Sequence, residues 1–221
     1  MSQAGHIAPA HRGLLITFEG PEGSGKTTLI EALAEFLGRR GCEPLVLREP
    51  GGTGIGERIR SVLLDMSSRG MSAETELLLM EASRAQLVRE KILPALAAGL
   101  LVLCDRYADA SVAYQGYGRG LGEKTVAQFN DFATGGLEPD LTFLCLLPPA
   151  QGHARLKDRP TDRLDRETLA FHERVYAGYL ALAARAEPRV AVLDAAAPPA
   201  AVLAAAVERL KRLEHGLLRF L

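Results

Sequence analysis

The feature that most constrains the fold is a glycine-rich segment placed between an apolar run and a segment of helical period. The apolar run LLIT, at residues 14–17, leads directly into FEGPEGSGKTT at residues 18–28. A short apolar run is typical of a buried strand, and glycine allows the backbone to turn sharply before a helix begins. The segment therefore predicts a strand, a tight loop and a helix in succession, as in an α/β fold.

The same alternation continues along the chain. Short apolar runs separate longer segments of helical period, which is typical of βαβ units and a largely parallel sheet. The runs predict strands near 13–19, 44–48, 100–104, 140–146 and 189–194. The longer segments predict helices near 25–40, 55–66, 74–93, 107–116, 123–134, 149–157, 165–185 and 198–217. No linker divides residues 13–221, so we expect one domain, preceded by a disordered extension at residues 1–12.

Composition narrows the partners and the location. Lys and Arg total 26 against 27 Asp and Glu, so the chain lacks the basic excess of a nucleic-acid-binding surface. The three cysteines are widely spaced and form no Cys-x-x-Cys pair, which favours a reducing cytoplasm. The longest apolar stretch, residues 92–104, is too short to span a bilayer and is interrupted by Pro94 and Gly99. We therefore expect neither a nucleic-acid partner nor a membrane segment.

The glycine-rich segment also matches a chemical motif. Residues 20–27, GPEGSGKT, fit G-x-x-x-x-G-K-[ST], in which backbone N–H groups and a helix N-terminus surround phosphate oxygens. Lys26 would reach the β- and γ-phosphates, and the Thr27 hydroxyl suits a Mg²⁺ ligand. The motif predicts a nucleoside-triphosphate site formed by Gly20, Pro21, Glu22, Gly23, Ser24, Gly25, Lys26, Thr27 and Thr28.

Two further charged segments follow predicted strands, at the carboxyl ends where open α/β sheets bind ligands. The segment LREPGGTGIGERIR contains Arg48 and Arg60, which can face a second anion. The segment LLVLCDRY ends in Asp105, placed to hold Mg²⁺ through water, and Arg106, placed to bind phosphate. Without a ligand, the first segment would be a solvated loop and the second a salt bridge at the end of a strand.

A third charged segment, RLKDRPTDRLDR at residues 155–166, lies between two helical patterns. Such a run is usually a solvated face, but basic loops also close over anionic ligands and exclude water. Two anion sites suit phosphoryl transfer to a nucleoside monophosphate. The phosphate of that acceptor has a second pKa of about 6, so it is already largely ionised and needs no general base. The five histidines are scattered, which agrees with chemistry that needs no such base.

Two other classes of function remain open. The phosphate loop also occurs in nucleotide-dependent switches, although the chain shows no N-K-x-D-type segment for guanine and the second group of arginines would then have no purpose. A nucleotide-binding protein with weakened catalysis is the other class. Stimulation of turnover by a monophosphate discriminates a kinase from both.

Several motifs together are similar to one family. FEGPEGSGKTT, REPGG, DRY, AYQGYGRG, GLEPDLT and RLDRE occur in the order and spacing of the thymidylate kinases, from Gly13 to about Pro198. The resemblance implies a P-loop fold with a five-stranded parallel sheet flanked by helices, and a short basic lid at about residues 152–166. It also implies Mg²⁺-dependent phosphoryl transfer from ATP to dTMP for dTTP synthesis, and a homodimer. A monophosphate kinase with another base preference is the nearest alternative.

The resemblance also implies roles for individual residues. Glu22 corresponds to the acid that meets the 3′-hydroxyl of the acceptor sugar, and Tyr114 to the residue that excludes a ribose 2′-hydroxyl. The acceptor phosphate would be bound by Arg48, Arg60 and Arg106, and the base by Met80, Arg84, Ser111 and Gln115. Mg²⁺ would be held by Thr27 and Asp105, with Glu49 in the sugar and magnesium environment of the acceptor. The catalytic cations would be Lys26, Arg106 and the lid arginines Arg155, Arg159 and Arg163.

Three positions depart from the family pattern. Some members have an arginine near the position of Gly23, so here we expect the transition-state cation to come from the lid. Met80 stands where the family usually has a phenylalanine that stacks on thymine. A thioether against an aromatic face contributes about 0.3–1.5 kcal/mol, so we expect weaker or differently shaped stacking. Glu81 is an unusual neighbour, and the sequence gives no physical reason for it.

Overall fold

A sheet of five strands forms the centre of the computed structural model, which describes residues 13–156, 161–185, 188–213, 215–219 and 221. The strands are β1 (Leu14–Glu19), β2 (Leu45–Arg48), β3 (Leu101–Asp105), β4 (Leu141–Leu146) and β5 (Val190–Asp194). All pairings are parallel, in the order β2-β3-β1-β4-β5. The predicted α/β fold with a five-stranded parallel sheet is therefore confirmed, and each strand lies within one residue of its predicted bounds. The extension predicted at residues 1–12 lies outside the described residues.

Helices connect and flank the strands. They are α1 (Lys26–Gly38), α2 (Gly54–Leu64), α3 (Ala73–Leu87), α4 (Leu93–Ala97), α5 (Ala108–Ser111), α6 (Glu123–Thr134), α7 (Pro149–Arg155), α8 (Leu169–Ala184) and α9 (Pro199–Lys211). A π-helical turn, Val88–Ile92, joins α3 to α4, and a second π-helical segment, Val112–Gly118, continues α5. Short 3₁₀ turns occur at Met66–Ser68 and Gly216–Leu218. Within the described part of the chain, no helix is both long and apolar enough to cross a membrane.

Three helices differ from their predicted bounds by more than two residues, and two of these differences have a clear local cause. The helix predicted at 74–93 continues to Ala97, because a π-helical turn ends at Ile92 and Pro94 then lies in the first turn of α4, where its missing N–H is tolerated. The helix predicted at 165–185 begins only at Leu169, because the Thr168 hydroxyl accepts a hydrogen bond from the Phe171 N–H and caps the helix there. The helix predicted at 198–217 ends at Lys211.

The hydrophobic core lies on both faces of the sheet, as expected for parallel strands covered by helices. On β1, Leu14, Ile16 and Phe18 face one side and pack in a cluster with α1 and α9. Leu15 points to the other side and packs in a cluster with β3 and the helix that includes the first π-helical turn. This alternation follows from the two-residue period of a strand, and the burial of both faces agrees with the central position of β1 in the strand order.

The strand register brings the charged segments to one edge. Asp105 at the end of β3 lies opposite Phe18 on β1 and Arg48 on β2. The Glu49 N–H then donates to the Asp105 carbonyl oxygen at 2.9 Å. The loops that follow β1, β2 and β3 therefore meet at the carboxyl edge of the sheet, where α/β folds bind ligands.

Candidate active site

The loop between β1 and α1 curls around the ammonium group of Lys26. Its nitrogen donates to the carbonyl oxygens of Gly20 and Pro21, both at 2.9 Å, and approaches the Ser24 hydroxyl at 3.4 Å. The residue is only 7% exposed, and burial together with the charge of Arg106 lowers the pKa of Lys26. The loop thus holds a cation at the amino end of α1, where the helix dipole already favours an anion.

Two glycines let α7 pack directly on the phosphate loop. A Cβ atom on Gly152 would lie 2.3 Å from the Glu22 carbonyl oxygen, and one on Gly23 would lie 2.4 Å from the Gly152 carbonyl oxygen. Gly23 also has φ of 71°, which disfavours any other residue. The loop therefore has no room for an arginine at Gly23. One turn further along α7, Arg155 donates to the carbonyl oxygens of Ala195, at 3.0 Å, and Gly23, at 3.4 Å.

Oxygen ligands converge beside the loop in a form that suits Mg²⁺. The Thr27 hydroxyl lies 3.1 Å from Asp105 Oδ2. Within the described residues, no group of three or more acidic, histidine or cysteine side chains forms a metal cage. Mg²⁺ is usually held by one or two protein oxygens plus the phosphates of a nucleotide, so Thr27 and Asp105 fit that ion. Glu49 Oε1, which is buried and has no hydrogen-bond partner among the described residues, offers a further oxygen nearby.

Arg106, which directly follows β3, connects the phosphate loop with Tyr114. Its φ of 68° is in the left-handed region, which is uncommon for a residue other than glycine and often marks a functional position. The guanidinium donates to the Gly20 carbonyl oxygen at 3.2 Å, to the Tyr114 hydroxyl at 3.1 Å and to the Glu22 carboxylate. The Tyr114 hydroxyl donates to the same carboxylate at 3.1 Å. Arg106, Glu22 and Tyr114 therefore form one hydrogen-bonded network beside the phosphate loop.

Glu19, which was not predicted from the sequence, holds the residues next to this network in place. Its fully buried carboxylate accepts hydrogen bonds from the N–H groups of Tyr107, at 2.8 Å, and Ala110, at 3.2 Å, and from the Tyr179 hydroxyl, at 3.0 Å. The residues that follow β3 are thus tied to the end of β1. An acidic residue at the end of a largely apolar strand was the feature of the sequence that could have identified Glu19.

At the far end, Arg84 of α3 is almost entirely enclosed by acceptors. Its Nε donates to Glu49 at 2.7 Å, and Nη2 donates to the Tyr107 carbonyl oxygen at 2.9 Å. Its Nη1 faces Glu81 at 2.6 Å, Ser111 at 3.0 Å and Asn130 at 2.5 Å. Burial, together with the charge of Glu81, raises the pKa of Glu49 to about 7, although Arg84 acts in the opposite direction. The structure thus gives a physical reason for Glu81, which the sequence did not. Its carboxylate and that of Glu49 both accept hydrogen bonds from the Arg84 guanidinium.

Arg48 and Arg60 approach this end from the loop after β2. Arg48 pairs with Glu57 at 3.0 Å and stays exposed, whereas Arg60 donates to the Pro50 carbonyl oxygen at 2.8 Å. The peptide bond between Glu49 and Pro50 is cis. Burial and the charge of Arg48 lower the pKa of Arg60. Two cations held this close together are a suitable site for a doubly charged anion.

One cavity of about 1000 Å³ joins both ends. Its donor end, where a triphosphate would lie, is lined by the phosphate loop, Arg155 and apolar residues after β5: Ala195, Ala197, Pro199, Ala200, Val202 and Leu203. Its acceptor end is lined by the residues predicted from the resemblance: Arg48, Glu49, Arg60, Met80, Arg84, Ser111, Tyr114 and Gln115. Glu22, Lys26, Asp105 and Arg106 also line this cavity. Gly20 and Pro21 contribute to the loop from outside the cavity lining, through their bonds to Lys26.

Two predicted lid cations are placed differently from Arg155. Arg163 does not line the cavity; it is buried, its Nε donates to the Leu63 carbonyl oxygen at 2.7 Å, and its Nη2 pairs with Glu76 at 2.7 Å. In this structure the Arg163 guanidinium thus contacts Glu76 and the backbone of α2, and it does not reach the cavity that holds the phosphate loop. Arg159 lies outside the described residues. Of the lid segment, Leu156, Asp162, Leu164 and Asp165 do line the cavity.

A phosphate loop that faces a second cationic site across one cavity is the arrangement of phosphotransferases that act on nucleotides. The model of the thymidylate kinase family matches residues 18–206, so the chain belongs to that family. A thymidylate kinase of Desulfovibrio desulfuricans is 48% identical over 84% of this chain and 89% of its own length. One of Lactobacillus delbrueckii is 52% identical over 90% and 96%, and one of Latilactobacillus sakei is 50% identical over 86% and 91%.

Proposed function

We propose that the protein transfers the γ-phosphoryl group of ATP directly to dTMP, giving dTDP. The observation that carries the proposal is the single cavity that has a phosphate loop at one end and the arginine-rich acceptor site at the other. A nucleotide switch has no need of the second site. Membership of the thymidylate kinase family supports the choice of acceptor.

At the donor end, Lys26 and the loop N–H groups bind the β- and γ-phosphates of ATP, and the apolar residues after β5 cover the adenine. In this proposal, Thr27 and Asp105 hold Mg²⁺, with Glu49 as a further oxygen in its environment. The bound ion would neutralise charge that develops on the phosphates. The protein's own contribution is to keep these oxygens and the ammonium group in fixed positions before ATP binds.

At the acceptor end, Arg48, Arg60 and Arg106 bind the phosphate of dTMP, and Met80, Arg84, Ser111 and Gln115 surround its base. Glu22 meets the sugar, beside Tyr114, which fills the space of a 2′-hydroxyl. The attacking phosphate oxygen is largely ionised at neutral pH, so the site needs no general base. Catalysis then consists of alignment and of cations at the transferred group, namely Lys26, Arg106 and Arg155.

The deciding experiment measures ADP release from Mg·ATP with dTMP, dUMP, UMP, CMP, AMP, GMP or no acceptor. We expect a rate that is large with dTMP and smaller with dUMP. Activity with a different base would support a kinase that has another substrate. The methionine at position 80 keeps that alternative open. Release that no monophosphate stimulates would contradict the proposal and support a switch.

The proposal includes a homodimer and a cytoplasmic location. Apolar side chains are exposed on three helices that pack side by side, α2, α3 and α6: Ile55, Val62, Leu78, Phe129 and Phe132. Phe132 is 85% exposed, which is costly for a phenylalanine unless a partner covers it. Sedimentation equilibrium tests this, since Phe132→Asp is expected to weaken the dimer and a monomeric wild type would contradict it. The free cysteines Cys42, Cys104 and Cys145 support a reducing compartment.

A further inference from the structure

Glu76 is a buried carboxylate that no motif singled out. It lies on α3, with Met80 one turn and Arg84 two turns further along the same face. Glu76 is 0% exposed, yet it does not line the cavity. An isolated carboxylate in such a place would be strongly unfavourable, so its partners explain why it is tolerated.

Three side chains donate to this carboxylate. Gln115 Nε2 lies 2.9 Å from Oε1, and Arg119 donates to both oxygens at 3.0 and 2.8 Å. Arg163 Nη2 donates to Oε2 at 2.7 Å. Two arginines from different segments therefore fix the carboxylate, and its remaining contact is with a residue that lines the acceptor end of the cavity.

The contact with Glu76 determines how the Gln115 amide is oriented. A carboxylate only accepts hydrogen bonds, so Gln115 must turn its NH₂ group toward Glu76. The amide oxygen, Oε1, then points away from Glu76, and no hydrogen bond within the described part of the chain occupies it. Because Gln115 is 1% exposed and lines the cavity, that oxygen is a fixed acceptor at the base site.

We propose that Glu76 is a positioning residue which keeps Gln115 as a hydrogen-bond acceptor and thereby selects acceptor bases that carry an imide N–H, such as thymine and uracil, over cytosine. This inference rests on the proposed function. Thymine presents N3–H between two carbonyl groups, whereas cytosine presents an unprotonated N3 beside an amino group. The oxygen of Gln115 accepts from N3–H and opposes the lone pair of cytosine N3. The neighbouring guanidinium of Arg84 favours the O4 carbonyl of thymine over an amino group in the same way.

The test compares dTMP with the monophosphate of 5-methyl-deoxycytidine, which keeps the methyl group and changes only the hydrogen-bonding pattern. The readout is the ratio of kcat/KM for the two acceptors. In Glu76→Gln, the Gln115 amide is free to turn over, and we expect the ratio to fall about tenfold, the size expected for one hydrogen bond at a buried site. A role limited to stability would lower both values equally and leave the ratio unchanged.

A double-mutant cycle with Gln115→Met shows whether Glu76 acts through Gln115. Once Gln115 is replaced, Glu76→Gln is expected to change the ratio little further. Equal effects in both backgrounds would overturn the proposal. Arg119→Gln is the matched control, because it removes a partner of the same carboxylate without freeing the amide, and the ratio should persist.

If Glu76→Gln does not fold, the acceptor nucleotide can be changed in place of the protein. Methylation of dTMP at N3 removes the imide hydrogen, so we expect kcat/KM to fall at least tenfold for the wild type and much less for Gln115→Met. Equal losses in the two proteins would overturn the proposal. Wild-type protein that does not phosphorylate dTMP would refute the proposed function as well, whereas activity with an unchanged ratio in Glu76→Gln would refute only this inference.

Discussion

The two ends of the cavity are built in different ways. At the donor end, Lys26 is held by carbonyl oxygens of residues five and six positions before it, and the loop itself provides the remaining groups. At the acceptor end, Arg84 is held by Glu49, 35 positions away, and by Asn130, 46 positions away. The donor end is thus formed by local backbone, and the acceptor end by side chains brought together by the fold.

The difference follows from what each end has to recognise. Phosphate groups are alike in every nucleotide, and backbone N–H groups with one ammonium bind them without distinguishing the base. A base is distinguished by the pattern of its donors and acceptors, which requires oriented side chains. Side chains keep an orientation in a buried site only when their other hydrogen bonds are satisfied, so the acceptor end needs a network.

The largest expected effect is at the donor end. Lys26→Met removes the cation from the phosphate loop, and we expect kcat to fall by about 10²–10³, as for the loss of a preorganised charge at the transferred group. Steady-state rates of ADP release with saturating dTMP measure it. Lys124→Met on the exposed face of α6 is the control and should keep full activity. A change in KM alone would show that Lys26 binds ATP without stabilising the transition state.

The next effect concerns the contact of two backbones. In Gly152→Ala, the new methyl group meets the Glu22 carbonyl oxygen, so α7 must move away from the phosphate loop together with Arg155. Misplacement of a reacting group by about 1 Å can cost up to about 100-fold, and we expect kcat/KM for ATP to fall by about 10- to 100-fold.

Gly54→Ala is the matched control for this change. Gly54 lies in α2, where a methyl group would meet no atom within 4 Å. The comparison also separates the two ends of the cavity, because the KM for dTMP should change little in either variant. A large change in that constant for Gly152→Ala would show that the ends are not independent.

The third effect distinguishes two arginines of the segment predicted to be a lid. Arg155 faces the donor end, so Arg155→Ala is expected to lower kcat by about tenfold or more with little change in stability. Arg163 is buried against Glu76, so Arg163→Ala is expected to lower the free energy of unfolding by about 2 kcal/mol, less than for a fully broken pair because Arg119 remains.

Thermal unfolding and kcat, measured on the same preparations, separate the two arginines. From the sequence, Arg163→Ala is expected to lower kcat far more than the affinity for dTMP, and that result at unchanged stability would contradict the structural role. Such an outcome would mean that Arg163 leaves Glu76 when both nucleotides are bound.

The sequence predicted the parts of the molecule that depend on local pattern. The strands were correct because alternating apolar runs report burial directly, and the phosphate loop was recognisable because its ligands are consecutive. Gly152, Glu76 and Asn130 were missed because their roles depend on partners up to 130 residues distant, such as Glu22 for Gly152. The family resemblance assigned Gln115 and Arg84 to the base, and both line the cavity, but only the fold shows which groups orient them.

The smallest expected effect is on the loss of stability in acid, which differs between the two ends of the cavity. Behind the donor end, the rings of His153 on α7 and His172 on α8 lie 4.7 Å apart, and His172 is 4% exposed. Burial and the charge of His153 lower the pKa of His172. As the pH falls through about 6.5, the unfolded chain takes up a proton that the folded chain resists, so stability is lost on the acid side. His172→Phe should remove part of that loss.

Next to the acceptor end, Glu76 responds to acid in a lower pH range than His172. Burial acts to raise the pKa of Glu76, but hydrogen bonds from Arg119 and Gln115 outweigh it and hold the pKa below the ordinary value. This stabilisation is complete above about pH 4.5 and is lost only below it. Between pH 7.5 and 5.5, we therefore expect the melting temperature of His172→Phe to fall less than that of the wild type. Parallel melting curves for the two proteins would show that His172 is protonated equally in both states and that α7 packs without a neutral imidazole.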